Sequence, residues 1–327
     1  MKKFAAVFCF LLPISANVFA QVDAPEEPSW RGMPIEHWAG QLAEEDVRTR
    51  WYAAYAVGQI GPAAAPEALA PLMEILATRT ENEYVRGNAA WAIGRMGPAA
   101  EKAVPLLIET LESKHVSVIR NAPLALGLIG PKAGPAVDPL LKLIDHEDAT
   151  AAAGAAVALW QIDRHGDALP ALEQMLSTGK GSGPRQAAVA LGRLGPDALP
   201  AADAIIAALG HADADTARAA ADALVAMGSA AAKPLGRAIK HDNPEVRSRA
   251  VDALGRIDAD TVALLTAALG DRSPKVRRTA SRCLGRLGSK AKQAEPALIR
   301  AINDPSPEVR AAAAKALSRV RLVSKGG

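Results

Sequence analysis

The chain has 327 residues, a near-neutral formal charge of +3, and a composition that is half hydrophobic but only 4% aromatic. That balance excludes a disordered polyelectrolyte and a collagen-like polymer. Two cysteines, one of them inside the N-terminal apolar run, exclude a disulfide-stapled fold, so stability must come from packing.

Lys2 and Lys3 open the chain, an apolar run follows from Phe4 to Ile14, and small Val18 and Ala20 stand just before Gln21. A charged start, a short apolar stretch and small residues at a cleavage site read as a signal peptide over 1–20, cut after Ala20. This predicts a periplasmic or secreted protein. The run is too short to span a bilayer comfortably, and no later stretch reaches about 18 apolar residues. Cys9, behind Phe8, lacks the small-residue setting of a lipidated cysteine. All four phenylalanines (Phe4, Phe8, Phe10, Phe19) belong to the leader. The mature core is therefore built from Ala, Leu, Val and Ile, and Cys283 is its lone thiol. From Gln21 to Leu235 there are 17 Lys and Arg against 26 Asp and Glu, a net of −9; from Gly236 onward there are 19 against 9, a net of +10. An asymmetry of this size concerns partners and solubility rather than fold.

After a lead-in over 21–33, one template recurs through 34–321, leaving a tail over 322–327. Ala53-Ala54-Tyr55-Ala56-Val57-Gly58-Gln59-Ile60-Gly61-Pro62 returns as Ala89-Ala90-Trp91-Ala92-Ile93-Gly94-Arg95-Met96-Gly97-Pro98. Further copies end at Gly130, Asp163, Gly195, Gly228, Asp258, Gly288 and Arg321, at intervals of 36, 33, 33, 32, 33, 30, 30 and 33 residues. Each unit reads as two helices. The first carries apolar residues at helical spacing, as in Pro105-Leu106-Leu107-Ile108. A polar turn such as His241-Asp242-Asn243-Pro244 follows, with a capping residue before a proline suited to the first helical position. The second helix has the form Val-Arg-x-x-Ala-x-x-Ala-Leu-Gly, as from Val246-Arg247 to Gly255, and Gly-Pro stops it in the N-terminal units. Pro123 predicts a kink in the third unit's second helix. The fourth unit lacks the arginine, so an irregularity is expected between 120 and 185, with a mobile loop at 177–183.

The Val-Arg start, the alanine pair, the Ala-Leu-Gly run and the Gly-Pro exit resemble HEAT repeats of the short bacterial PBS-lyase HEAT-like kind. Gly32-Met33-Pro34-Ile35-Glu36-His37-Trp38 resembles the lead-in of exported members. The resemblance implies an all-α, right-handed α-solenoid of about nine HEAT-like hairpins, each too small to bury its apolar faces without its neighbours. The recurring arginines Arg50, Arg86, Arg247, Arg277 and Arg310 are expected to bond turn residues of their own or the adjoining unit.

In such a solenoid the second helices line the concave face, and positions about four apart within the template form an exposed ridge. Along it stand Tyr52, Tyr55, Trp91 and Arg95, then Arg193, Arg249 and Arg256, then Arg278, Arg282, Arg286 and Arg319. Aromatics and arginines anchor interfaces, so the ridge predicts a protein partner with an extended, acidic segment. The alternative is that Tyr55 and Trp91 cap the end of the core while the basic stripe is simply solvated. A nucleic-acid reading of the stripe is opposed by the export signal and by the absence of aromatics among the C-terminal arginines. No enzymatic activity, cofactor or metal is expected. Asp145-His146-Glu147-Asp148 is the densest ligand-like cluster but reads as a capped turn, and His211-x-Asp213-x-Asp215 likewise. One His-Glu pair falls short of the di-iron centre of deoxyhypusine hydroxylases. Bilin lyase or isomerase activity, which some HEAT-like proteins have, finds no acid/base constellation here. Gly179–Gly183 lacks the spacing of a phosphate loop, and Cys283 replaces an alanine of the packed run, as a core residue would. Expressed in a bacterium with an intact export pathway, the protein should yield an N-terminal sequence of Gln21-Val22-Asp23; retention of Met1 would overturn the leader reading.

Overall fold

A computed structural model describes residues 28–257 and 260–322. The leader reading at 1–20, most of the lead-in, the template end at Asp258 and the tail from 323 lie outside the described residues. A tight two-stranded ribbon comes first, β1 (Ser29–Trp30) antiparallel to β2 (Met33–Pro34). Its two-residue loop, Arg31-Gly32, has both residues at positive φ, 53° and 76°, the conformation that joins strands at this spacing. Eighteen α-helices follow among the described residues, in nine successive pairs. The first four pairs are α1 (Ile35–Gln41) with α2 (Val47–Ile60), α3 (Ala65–Ala77) with α4 (Glu83–Arg95), α5 (Val104–Thr110) with α6 (Val116–Ile129), and α7 (Val137–Leu143) with α8 (Ala149–Asp163). Next come α9 (Ala168–Thr178) with α10 (Gly183–Leu194), α11 (Ala202–Ala208) with α12 (Ala214–Ala226), and α13 (Ala232–Ala238) with α14 (Pro244–Leu254). The last two are α15 (Val262–Ala268) with α16 (Pro274–Leu287) and α17 (Glu295–Ala301) with α18 (Pro307–Leu322). The chain is an all-α solenoid.

The sequence sets the ends of these helices locally. Asp46, Asn82, Asp148, Asp213 and Asn243 each accept a backbone N–H of the first turn of a second helix, satisfying donors that the helix cannot. Gly61 and Gly130 stop theirs at φ 76° and 75° with ψ −136° and −144°, a region open essentially to glycine alone. The proline that follows then starts a short 3-10 turn into the next unit. In the fourth unit Arg164 ends the helix instead, in the left-handed region at φ 60°, and no 3-10 turn follows.

Packing between units runs through the second helices. They lie against one another along the array, while successive first helices touch far less. A stack closer in one layer than in the other bends toward the close layer, so the second helices form the inner face. The closest approaches occur at the glycine of the Ala-Leu-Gly run. A Cβ on Gly94 would lie 2.5 Å from the Ala125 Cα, one on Gly127 2.9 Å from the Ala158 Cα, and one on Gly285 3.0 Å from the Ala316 Cα. The alanines expected to admit close packing do so, but the glycine opposite them is what brings backbone onto backbone.

Two units break this rule with bulk. Trp160 and Val225 stand where the glycine belongs. At Trp160 the buried core divides into two groups. Ala151, Ala155, Ala158, Leu159 and Ile162 of α8 belong with the N-terminal group, and Ala153, Ala156 and Val157 with the C-terminal one. Trp160 packs against both. The irregularity expected between 120 and 185 therefore sits at the junction of the fourth and fifth units. Pro123, where a kink is expected, lies inside α6, which continues through it as one helix. The ring sits opposite Gly154, where even an added Cβ would be 3.7 Å away, and α4 and α8 pack on either side, so tertiary packing outweighs one lost hydrogen bond. The expected loop at 177–183 shortens to Gly179–Ser182. Ser177 and Thr178 stay helical, their hydroxyls donating to carbonyls one turn back.

Gly94→Ala should cost about 1–3 kcal/mol through overpacking. Gly40→Ala, at an exposed helical site with nothing within 4 Å, should gain about 0.5–1 kcal/mol. Urea titration of the two variants checks both signs, and equal effects would sink the close-approach account.

Candidate binding face of the second helices

The inner face begins with an aromatic cluster. Trp30 of β1 meets Trp38, Tyr52 and Tyr55 edge to face at centroid distances of 5.6, 5.4 and 5.8 Å. Tyr55 lies stacked between Trp51 (6.0 Å) and Trp91 (5.4 Å), geometries aromatic pairs favour. Arg31 covers the Trp30 ring at 4.7 Å and donates to the Tyr52 hydroxyl at 2.9 Å. Trp91 lies over Gly58, where a Cβ would come within 2.2 Å of its ring. Tyr52, Tyr55 and Trp91 are thus brought together, half-buried, in a plug over the first unit's core. Sequence reasoning missed Trp30 and Trp51, because a lead-in residue and a position outside the ridge supply half the stack. It also missed the exposure of Trp51 and Tyr84, 40% and 61%, beside Val47 and Arg48.

The arginines divide into two sets by partner. Those of the first helical turn tie units together at the turns. Arg50 donates through Nε and Nη2 to Glu81, at 2.7 Å each, and through Nη1 to the carbonyls of Glu44 and Glu45. Arg247 does the same with Asp271 (2.7 and 2.9 Å) and the carbonyls of His241 and Asp242. Arg277 repeats it with Asp304 (2.7 and 2.8 Å) and the carbonyls of Asp271 and Arg272. Arg310, in the final unit, keeps the carbonyls of Asp304 and Pro305. Arg86 is buried and donates to the Leu76 carbonyl; burial pushes its guanidinium down from the usual value. The expected bonding to turn residues holds for Arg50, Arg247, Arg277 and Arg310, while Arg86 reaches a carbonyl in the last turn of α3 instead.

On the inner face itself a second set of contacts alternates acid and base between units. Arg256 pairs with Asp222 at 2.7 Å, and Arg286 with Asp252 at 3.1 Å. In each pair the aspartate sits between the two alanine positions of one template and the arginine just past the glycine of the next. Arg278 pairs with Glu308 at 2.8 Å, and Arg249 donates to the Leu209 carbonyl. Arg95 donates to the Gly58 carbonyl at 3.3 Å. Arg193, Arg282 and Arg319 are exposed and engage none of the carboxylates among the described residues. Of the predicted basic ridge, Arg249, Arg256, Arg278 and Arg286 are therefore engaged within the chain. The partners Asp222 and Asp252 went unread as such, because they lie 34 residues away. Arg278 also stands one position off the template, which Thr279 occupies, buried and bonded to Ser248 at 3.0 Å. It nonetheless lines the groove between α16 and α18 with Arg282, Arg286, Lys315 and Arg319.

The remaining polar groups serve the turns. The Nδ1 atoms of His146, His211 and His241 accept the N–H of the capping residue two positions on, at 2.9–3.0 Å. Asp148 caps α8 and binds Arg120 at 2.7 Å. Among the described residues no group of three or more His, Cys, Asp or Glu is placed to hold a metal ion, and no helix is long and apolar enough to cross a membrane. Cys283 is fully buried against the Val251 carbonyl, and burial pushes its thiol up.

The family model for HEAT repeats matches residues 35–127, 202–271 and 261–325. The unmatched interval contains α8, with Trp160 in place of glycine. No curated protein matches the chain. Among solved structures it is similar to a Kap121p mutant (TM-score 0.53, 14% identity, 88% of this chain and 37% of that one). It is similar also to Kap95 in the Kap95:Nup1 complex (0.50, 15%, 88% and 44%). A third similarity is to the CpcE and CpcF complex of phycocyanin lyase from Nostoc (0.38, 21%, 85% and 98%). The chain spans less than half the length of the Kap solenoids it matches, and identities this low speak to fold alone.

The turn ion pairs carry a pH signature. Hydrogen bonds from Arg277 hold the Asp304 carboxyl below the usual carboxylate range against the opposing effect of burial, and the Ser306 N–H assists. A value lowered on folding contributes stability that is complete above the unfolded value of about 3.9 and lost as pH falls through the folded one. Asp304→Asn should cost about 1.5–3 kcal/mol at pH 7 and flatten the decline of stability below about pH 4, read by urea titration across pH. An unchanged acid limb would overturn the assignment.

Proposed function

The chain belongs to the HEAT-repeat family, and on that premise we propose that it is a non-enzymatic protein-binding scaffold of the cell envelope. Its second-helix face holds an extended partner, with an acidic segment toward the C-terminal end. The observation that carries this reading is the set of exposed cations on that face, Arg193, Arg282, Lys315 and Arg319, which no carboxylate of the chain engages among the described residues. Their neighbours Arg256 and Arg286 are held in register by aspartates. Charges left open on a preformed surface recruit and orient a partner of opposite sign. A solenoid of this fold, Kap95, is in complex with Nup1 in its solved structure. The envelope location rests on the leader-like residues 1–20. The acceptor role of His146, His211 and His241 in turns and the burial of Cys283 support the non-enzymatic reading.

A photo-crosslinking residue placed in living cells at Leu128 or Val189, exposed on the second helices, should trap the same partner. At Glu74 or Gln174, on the first helices, it should trap none. Reversing Arg193 and Arg319 to Glu should cut the yield by about tenfold, as loss of steering charges does. Equal adducts from both faces, or none from the inner one, would sink the scaffold reading.

A further inference from the structure

We propose that the groove between α16 and α18 seats a carboxylate of the partner's acidic segment, which fills the place of an acid that the chain's own ladder omits between Arg282 and Arg319. This rests on the reading of the second-helix face as the partner-binding surface, and it names the group recognised there.

The inference comes from a charge inversion at one template position. In two successive unit junctions the residue between the alanines is an aspartate, and it pairs with the arginine past the glycine of the following unit: Asp222 with Arg256, then Asp252 with Arg286. At the next junction the second member is present, as Arg319, but the first has become Arg282. Both line one groove of about 440 Å³ with Arg278, Arg286 and Lys315, over a floor that includes Gly285 and Ala312. Arg278 and Arg286 have acids of their own, Glu308 and Asp252. Arg282, Lys315 and Arg319 are exposed and engage no carboxylate among the described residues. The Nε of Arg278 is buried with no acceptor, a donor in the same wall left unsatisfied.

Two features make this arrangement costly to the chain by itself. Arg278, Arg282 and Arg286 are four apart on one helix, as are Lys315 and Arg319 on the other, and like charges at that spacing weaken a helix. The two rows also face each other across a junction where the backbones are close, a Cβ on Gly285 being 3.0 Å from the Ala316 Cα. A carboxylate between them offsets one of the three open charges and is attracted by both rows at once. Its recognition is charge-assisted and suited to the forked guanidinium donors on either side. The small floor residues leave room for a main chain to lie along the groove, so an extended segment fits better than a helix.

The test uses the mature protein and a fluorescent oligoglutamate of about ten residues, a length spanning about 33 Å when extended, followed by anisotropy. Oligoglutamine, inorganic phosphate and single-stranded oligothymidylate are the competitors. Arg282→Ala should weaken binding about tenfold, the loss of one charged contact. Arg282→Asp should weaken it about a hundredfold, and should raise the thermal midpoint of the C-terminal units because the new carboxylate meets Arg319. Arg300→Asp, the same charge change on an exposed part of α17, should bind within about twofold of the parent. If Arg300→Asp and Arg282→Asp weaken binding equally, net charge explains the affinity and the site falls. If phosphate or oligothymidylate competes better than unlabelled oligoglutamate, the occupant is not a carboxylate segment and the proposal is overturned. Failure of the parent protein to bind oligoglutamate while inner-face crosslinks persist removes this site and leaves the scaffold; failure of both removes the scaffold too.

Discussion

Everything in this molecule depends on how closely one second helix can approach the next. A chain without phenylalanine in its repeats, and with its aromatics gathered mostly at one end, has few bulky side chains with which to fill a thick core. It buries apolar surface by bringing thin helices almost into backbone contact, glycine against alanine. Close packing of this kind gains from many small dispersion contacts rather than a few large side chains. It also fixes the spacing between units, and hence the spacing at which Asp222 meets Arg256 and Asp252 meets Arg286. The polar order on the inner face follows from the apolar order beneath it.

The repeat was legible because periodicity survives any amount of substitution at surface positions. The nine-unit count, the capped turns and the role of the first-turn arginines could be read from spacing, since each is set within a unit or between adjoining turns. What lay hidden was set between units. Gly58 or Gly94 looks in sequence like a helix-ending residue, and only the neighbouring helix shows that it is a contact. Pro123 is likewise read locally as a helix breaker, while α4 and α8 hold the helix on either side of it.

The candidate face was legible in outline and not in its energetics. Reading one arginine per template yields a continuous basic stripe. The structure breaks that stripe into engaged and open charges, because the acid that neutralises Arg256 or Arg286 is supplied by the unit before. The aromatic end changes meaning in a similar way. Tyr52, Tyr55 and Trp91 are joined by Trp30 from the lead-in, so they close the exposed end of the stack, as terminal units of repeat arrays must. What remains open to a partner there is the outer edge at Trp51 and Tyr84.

Trp160 gives the array a property that a uniform stack would lack. In a run of like units each interface transmits strain to the next, and the whole behaves as one elastic rod. At Trp160 a large side chain occupies the position that sets backbone distance, and the two groups of buried residues meet along α8. The ion pair of Arg164 with Asp197, beside the indole of Trp160, spans the junction as a polar tie across a seam, not as a weld. Along this seam the two groups of buried residues meet on one helix, so α8 belongs to the interior of both halves of the array.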